Sequence, residues 1–212
     1  EKAKALANKF PDTFILRGPI DEKRIALTFD DGPDNIYTPL ILETLQEHKI
    51  KATFFLTGEQ VKKYPETTKK IHEAGHQIGL HCWDHPRFEE LSIADTKTQI
   101  LKTQEIIDSV IGKKPSIIRP PYGLATEEQI KYCKDNNFVL VDWSIDSLDW
   151  HMQDENIIYE SVTKVIHNGA IVLMHSNGGT DGRRATVNAL KRIIPYLSEQ
   201  GYQFTTVPEL LG

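Results

Sequence analysis

The feature that most constrains the fold is a regular alternation, from Lys23 onward, of short β-branched or aromatic runs with longer stretches of helical period. This alternation is typical of βα units around a parallel sheet. The residues alone allow an irregular (β/α) barrel or an open, doubly wound sheet, and both place ligands at the carboxyl ends of strands. The predicted strands are Ile25–Phe29, Ala52–Leu56, Gln77–His81, Ser116–Arg119, Phe138–Trp143, Ala170–His175 and Gln203–Thr206.

The helices between these strands are predicted from their ends. Ser92 and Thr126 are each followed three residues later by a polar partner, Asp95 and Gln129, and Thr38 precedes a proline. Such pairs cap helix N-termini, and proline favours the first helical position. Glycines are expected where helices end; the candidates are Gly75, Gly112, Gly169 and Gly201.

The composition indicates one globular domain. The chain has 212 residues and no Pro/Ser-rich linker, so we expect a single domain over 23–212, preceded by an N-terminal extension, 1–22, without a clear helical period. A net charge of −5 and the absence of a long Lys/Arg run argue against nucleic acid as a partner. The longest apolar run, Ala170–Met174, is far too short to span a membrane. We expect a monomer.

Candidate metal ligands follow two of the predicted strands. The first strand runs into Asp30, Asp31 and Gly32, a sequence that is also common in plain turns. The third ends at His81, and His85 lies four positions further on. If one helical turn follows His81, both imidazoles face the same side, and Asp31 completes a His₂Asp set. Three protein ligands with an open fourth position are typical of a catalytic zinc site.

Other strand ends carry further polar groups. Arg119 precedes two prolines that stop its strand, and an isolated surface arginine is the alternative reading. Asp142, Asp146 and Asp149 follow the fifth strand, and His175 ends the sixth. Because the carboxyl ends of parallel strands meet at one rim, these groups are expected to converge.

A second candidate metal site is the segment His72-Glu73-Ala74-Gly75-His76, which matches the zinc-peptidase pattern H-E-x-x-H. That chemistry needs both histidines on one uninterrupted helix. Gly75 disfavours a helix interior, and a predicted strand begins at Gln77, so His76 is expected beyond the helix end.

Five motifs in this order resemble those of the polysaccharide deacetylases with a NodB homology domain, carbohydrate esterase family 4. The resemblance covers roughly residues 24–211. The motifs are Thr28-Phe29-Asp30-Asp31-Gly32-Pro33, His81-x-x-x-His85, Arg119-Pro120-Pro121-Tyr122, Asp146-x-x-Asp149-Trp150 and Leu173-x-His175.

The resemblance implies an α/β fold, a distorted, TIM-like (β/α) barrel of about seven parallel strands, over the predicted domain 23–212. It implies a metal-dependent enzyme that removes acetyl groups from acetylated glycans. The implied metal ligands are Asp31, His81 and His85; the implied catalytic residues are Asp30 (base), Arg119 (positioning the base), His175 (acid) and Asp149 (orienting the acid); the implied substrate-binding residues are Tyr122, through its backbone N–H, Trp150 and Leu173.

The motifs do not fix the substrate. N-acetylglucosamine in peptidoglycan is the first expectation, followed by chitin oligosaccharides and O-acetylated xylan; a binding module without catalysis is a further alternative. A cell-wall substrate implies an extracellular or cell-wall location. His₂Asp suits Zn²⁺ best, with Co²⁺ or Ni²⁺ as alternatives. Residues that could line a saccharide groove are Trp83, Arg87, Tyr122, Trp150 and His151.

One position departs from the resembled pattern. Cys82 stands where the family usually has Ser or Thr. Because a thiol is a weaker hydrogen-bond donor than a hydroxyl, the segment presenting His81 and His85 is expected to be held less firmly.

Overall fold

The computed structural model describes residues 1–178 and 182–212, and within them nine strands and nine α-helices form one α/β unit. The strands are β1 (Phe14–Ile15), β2 (Arg24–Asp30), β3 (Thr53–Leu56), β4 (Gln77–Leu80), β5 (Ile117–Ile118), β6 (Val139–Val141), β7 (Ile145–Asp146), β8 (Ile171–His175) and β9 (Gln203–Phe204). The helices are α1 (Lys2–Lys9), α2 (Tyr37–Glu47), α3 (Gly58–Lys63), α4 (Pro65–Glu73), α5 (Ile93–Ile111), α6 (Glu127–Asp135), α7 (Glu155–Thr163), α8 (Arg184–Glu199) and α9 (Val207–Leu211).

The sheet has the strand order of a barrel. Its path is β1-β6-β5-β4-β3-β2-β8-β7, with β9 beside the start of β2, and every pair is parallel. From β2 to β6, each strand in the chain lies next to the preceding one, always on the same side, and β8 then pairs with the free edge of β2. In a doubly wound sheet, by contrast, the strand order reverses in the middle of the chain. No pairing joins β1 to β7 in the described part, so the sheet is a curled, incomplete barrel.

The predicted (β/α) barrel is confirmed, and its sheet has two strands more than the seven that the sequence indicated. Each predicted strand is present with its ends within two residues, but β1 and β7 are additional, and each is only two residues long. These two strands pair with β6 and β8, which offer them backbone hydrogen bonds.

Alternation along β2 separates the two faces of the sheet. Ile25, Leu27 and Phe29 belong to the large core between sheet and helices, whereas Thr28 and Asp30 share the inner face with Ala26. The inner face is apolar near the amino ends, where α9 covers it, and polar at the carboxyl ends. The inner apolar cluster comprises Ala26, Phe55, Ile117, Val141, Ile171, Val207 and Leu210.

Two predicted helix starts are confirmed and one is wrong. Ser92 Oγ accepts a hydrogen bond from the N–H of Asp95, and Thr126 forms a reciprocal capping box with Gln129. Thr38 instead lies inside α2, whose first turn is capped by the Asp34 carboxylate. None of the helices in the described ranges is both long enough and apolar enough to cross a membrane.

The N-terminal segment is more ordered than its sequence suggests. It forms α1 and then β1, which pairs with β6. Ala3, Leu6, Ala7 and Phe10 step by three and four and pack against the core. Two of these are alanines, which weakens the apolar contrast that reveals a helical period. The boundary between 1–22 and 23–212 stays a prediction.

Candidate metal and catalytic site

The two acids at the end of β2 are brought to one side by an unusual backbone conformation. Asp30 is the last residue of β2, and Asp31 has φ +75°. A non-glycine residue in this left-handed region is uncommon and is concentrated at functional sites. Asp31 itself makes the turn. The neighbouring Gly32 is required because a Cβ there would lie 2.3 Å from Ser176 Oγ.

His81 and His85 are not joined by a helical turn, contrary to the prediction. The segment between them is irregular, and Cys82 and His85 have φ +63° and +57°. The predicted convergence nevertheless occurs. Asp31 Oδ1 lies 3.2 Å from His81 Nε2 and 3.5 Å from His85 Nε2.

These three side chains fit a divalent cation. Their ligand atoms all lie within 4.8 Å of one another, the one such cluster of His, Cys, Asp and Glu in the described residues. His81 Nδ1 donates to the carbonyl of Arg119 at 2.8 Å, which leaves the Nε2 lone pair facing Asp31. Asp31 Oδ1 is buried without a hydrogen-bond partner among the described groups. Converging acceptors of this kind require a positive charge between them.

The pKa values show the same demand for positive charge. Burial acts to raise the pKa of Asp31, but the close approach of His81 and the charges of His81, His175 and His85 hold it well below 3.8. Burial lowers the pKa of His81, yet Asp30 and Asp31 outweigh it and raise that pKa above 6.5. Burial and the charge of His81 lower the pKa of His85. The pocket is therefore arranged to hold cationic charge at one point.

Arg119 anchors Asp30 from inside the barrel. Its side chain is 0% exposed, so it is not an isolated surface arginine. Nη1 donates to Asp30 Oδ1 at 2.9 Å and to Thr28 Oγ1 at 2.6 Å, while Nε and Nη2 donate to the carbonyls of Val141 and Asp142. The role of Thr28 was not predicted, although its i, i+2 spacing from Asp30 places both on one strand face.

His175 and Asp149 form a second hydrogen-bonded pair. His175 Nδ1 donates to Asp149 Oδ1 at 2.7 Å, and Asp149 Oδ2 accepts from the His175 N–H and from Thr186 Oγ1. Burial lowers the pKa of His175, but Asp149 outweighs it and raises the pKa to about 9. His175 Nε2 lies 3.9 Å from Asp31 Oδ2. Thr186 and Arg183, which donates to the Asp149 carbonyl, were missed because both lie on distant chain segments.

The three predicted substrate-binding residues lie at or near this rim. Tyr122 is 53% exposed, has φ +64°, and its ring meets the edge of the His85 ring at 4.9 Å. Its backbone N–H has no hydrogen-bond acceptor among the described residues. Trp150 is exposed and donates from Nε1 to the Asp146 carboxylate at 3.0 Å, and Leu173 lies two residues before His175 on the same strand face.

The rival peptidase pattern does not assemble. Helix α4 ends at Glu73, and Gly75 has φ +87°, so His76 lies beyond the helix. His76 Nδ1 accepts the N–H of Ala52 at 3.1 Å, and burial lowers its pKa to about 4. A ring engaged in this way does not face a metal together with His72.

The two cysteines stand outside the ligand cluster. Cys82 and Cys133 are both buried free thiols. Burial, followed by the charges of Asp84 and Cys133, raises the pKa of Cys82 far above its ordinary value, which keeps the thiol protonated. Cys82 does not belong to the cluster of ligand atoms, so the ligand set within the described residues stays at three.

Known proteins resemble this chain along most of its length. The polysaccharide deacetylase family model matches residues 17–141. A peptidoglycan-N-acetylglucosamine deacetylase of Bacillus cereus is 40% identical over 197 residues, covering 93% of this chain and 71% of the relative. PgdA of Listeria monocytogenes, a peptidoglycan-N-acetylglucosamine deacetylase, is 41% identical over 190 residues, covering 90% of this chain but 39% of the relative.

Among solved structures, the Bc1960 peptidoglycan N-acetylglucosamine deacetylase in complex with 4-naphthalen-1-yl-N-oxidanyl-benzamide superposes with a TM-score of 0.94 at 38% identity. The match covers 100% of this chain and 97% of that one. The incomplete barrel is therefore the fold of a solved relative.

Proposed function

The chain belongs to the polysaccharide deacetylase family, and we propose that it hydrolyses the N-acetyl group of N-acetylglucosamine residues in peptidoglycan. The observation that carries the proposal is the convergence of Asp31, His81 and His85 beside a second carboxylate, Asp30, and the His175 imidazole that Asp149 holds. An amide is a poor electrophile, and its hydrolysis needs these elements together: positive charge at the carbonyl, a base for water and an acid for the amine.

The metal would be held by Asp31, His81 and His85. A bound divalent ion supplies Lewis acidity, which polarises the acetyl carbonyl. We propose Zn²⁺ because two imidazoles and one carboxylate suit it best, with Co²⁺ or Ni²⁺ as substitutes.

Asp30 is the proposed general base. It lies beside the ligand cluster, 3.8 Å from His81 Nε2, and the Arg119 guanidinium holds its Oδ1. Its Oδ2 therefore remains available to accept a proton from the attacking water. Arg119 positions this carboxylate rigidly, because its other donors are held by acceptors on β2, on β6 and on the residue that follows β6.

His175 is the proposed general acid. Its raised pKa, about 9, keeps Nε2 protonated near neutral pH, and Nε2 faces the cluster from the side opposite Nδ1. Asp149 holds Nδ1 and so fixes the ring orientation. Nε2 can then protonate the departing amine, without which the C–N bond does not break.

Three further residues bind the acetyl group of the substrate in this proposal: Tyr122, Leu173 and Trp150. The Tyr122 N–H donates to the developing oxyanion, an interaction worth about 2.7–4 kcal/mol in comparable sites. Leu173 and Trp150 form apolar walls, and the Asp146 carboxylate fixes the Trp150 ring.

The test is acetate release from purified peptidoglycan, N-acetylglucosamine tetramers and O-acetylated xylan by the zinc-loaded protein. The proposal expects release from the first two and little from xylan. Preferential release from xylan would identify an O-acetyl esterase instead, and no release from any glycan would refute deacetylation.

A peptidoglycan substrate also implies that the protein acts outside the cytoplasmic membrane. This location follows from the proposed substrate and from nothing else in the chain. The monomeric state and the absence of nucleic acid as a partner stay predictions.

A further inference from the structure

Arg87 lies at the mouth of the proposed site, in a row of three neighbouring side chains that also includes His85 and Tyr122. The edge of the His85 ring meets Tyr122, with ring centroids 4.9 Å apart. The guanidinium carbon of Arg87 lies 4.5 Å from the centroid of the same Tyr122 ring. One aromatic ring therefore separates a proposed metal ligand from a permanent positive charge.

The donors of this guanidinium are free. The Arg87 side chain makes no hydrogen bond to any described residue, forms only a long ion pair with Glu89, and is 57% exposed. The nearest acid is Glu89, whose Oε1 lies 3.8 Å from Arg87 Nη1, beyond hydrogen-bond distance. The Tyr122 ring lies on one side of the guanidinium, and the exposed N–H groups remain able to bind a planar anion.

Other cationic groups lie on the same side of the rim. Tyr122 also lines a cleft of about 980 Å³ between α1 and the carboxyl ends of β1 and β6. Lys2, Lys4 and Arg17 line this cleft, against the acids Glu1 and Asp142. Burial raises the pKa of Asp142 well above 3.8, which favours its neutral form. Three basic side chains against two acids therefore line this cleft, in a chain whose net charge is −5.

We propose that Arg87 makes the enzyme selective for glycans that carry carboxylates next to the reacting N-acetyl sugar, binding one carboxylate through its free N–H edge. This inference rests on the proposed function and specifies its substrate class. Peptidoglycan chains with free lactyl carboxylates on their muramic acid residues have this chemistry, whereas N-acetylglucosamine homopolymers are neutral.

The experiment compares two soluble tetrasaccharides by acetate release: one alternating N-acetylglucosamine with muramic acid bearing free lactyl carboxylates, and one made of N-acetylglucosamine alone. The measured quantity is the ratio of kcat/KM on the acidic to that on the neutral substrate. Arg87→Gln should lower this ratio about five- to tenfold, mostly through KM on the acidic substrate. Arg87→Lys should restore part of it, and added salt should lower the wild-type ratio more than that of Arg87→Gln.

Arg192 supplies the matched control. Its guanidinium also lies 4.4 Å from a tyrosine ring, that of Tyr159, but on α8 away from the rim. Arg192→Gln should leave the ratio as in the wild type.

The outcomes separate the two proposals. An unchanged ratio in Arg87→Gln, with acetate still released, overturns the selectivity inference and leaves deacetylation standing. Equal losses on both substrates also overturn it, because Arg87 then acts on the shape of the site. Absence of acetate from both substrates with the wild type refutes the proposed function itself.

Discussion

Replacing Asp30 with Asn is the sharpest perturbation of the proposed chemistry. The change keeps the shape of the side chain and an oxygen that can accept from Arg119 Nη1, now 2.9 Å from Oδ1. It removes the negative charge and the ability to take a proton. Asp30 lies outside the cluster of ligand atoms, so the metal ligands are untouched.

Both consequences can be given magnitudes. A general base contributes about 10²- to 10⁴-fold to a rate, so kcat should fall by that factor. Arg119 and Asp30 are 0% and 2% exposed, and loss of the charge leaves a buried guanidinium with neutral acceptors only. We expect a loss of about 2–3 kcal/mol in the free energy of unfolding, since the hydrogen bond itself survives.

The assay measures acetate release, zinc content and urea unfolding on the same preparation. Asp30→Asn should be nearly inactive, hold zinc as the wild type does, and unfold at a urea concentration lower by roughly 1 M. Asp12→Asn, the same substitution at an exposed residue, should match the wild type in all three. Activity of Asp30→Asn within a few-fold of the wild type would refute the assignment of the base.

Three further substitutions test the surrounding assignments. His175→Gln should lose at least 10²-fold in kcat with unchanged zinc content, because the amine then departs without a proton donor. Glu73→Gln should leave acetate release unchanged, because Glu73 is the last residue of α4 and His76, the second histidine of the pattern, accepts a backbone hydrogen bond instead of facing a metal. In the wild type, the pKa of His76 is about 4 in the folded chain and near the ordinary 6.5 in the unfolded chain. The unfolded chain therefore binds an extra proton between these values, and the free energy of unfolding falls as the pH drops from about 6.5 to about 4. His76→Asn should reduce this loss of stability.

Each of the three has a contrary result. Full activity of His175→Gln would move the acid to another residue. A large loss in Glu73→Gln would revive the peptidase pattern. Urea midpoints of the wild type and His76→Asn that fall equally between pH 7 and pH 4.5 would show that His76 is not the group responsible.

The fold was predictable where the chain itself carries a period. Strands β2, β3 and β8 have long apolar runs, and the starts of α5 and α6 have capping residues at fixed spacing. The two-residue strands β1 and β7 have neither, and they exist because the neighbouring β6 and β8 offer partners. Apolar runs and capping residues therefore predicted the order of the main helices and strands. The edge strands β1 and β7 depend instead on tertiary contacts.

The site was predictable in its membership more than in its local geometry. The position of Asp31, His81 and His85 at strand ends was enough to expect that they meet. The local backbone differed from the prediction: Asp31, Cys82 and His85 adopt left-handed conformations, and no helical turn joins His81 to His85. Such conformations are imposed by surrounding packing and leave no trace in residue spacing.

Supporting residues were the hardest to foresee. Thr28 shares a strand face with Asp30, so strand alternation could have revealed it. Thr186 donates to Asp149 across 37 positions of sequence, and no periodicity connects them. Single hydrogen bonds between distant segments become visible only when the fold brings them together.

The most direct test of the account is an anomalous diffraction map, measured at the zinc edge, from crystals grown with zinc. We predict one peak within bonding distance of Asp31 Oδ1 and the Nε2 atoms of His81 and His85, roughly 2.0–2.2 Å from each. A map with no peak among these three side chains, or with its strongest peak at His72 or His76, would contradict the account.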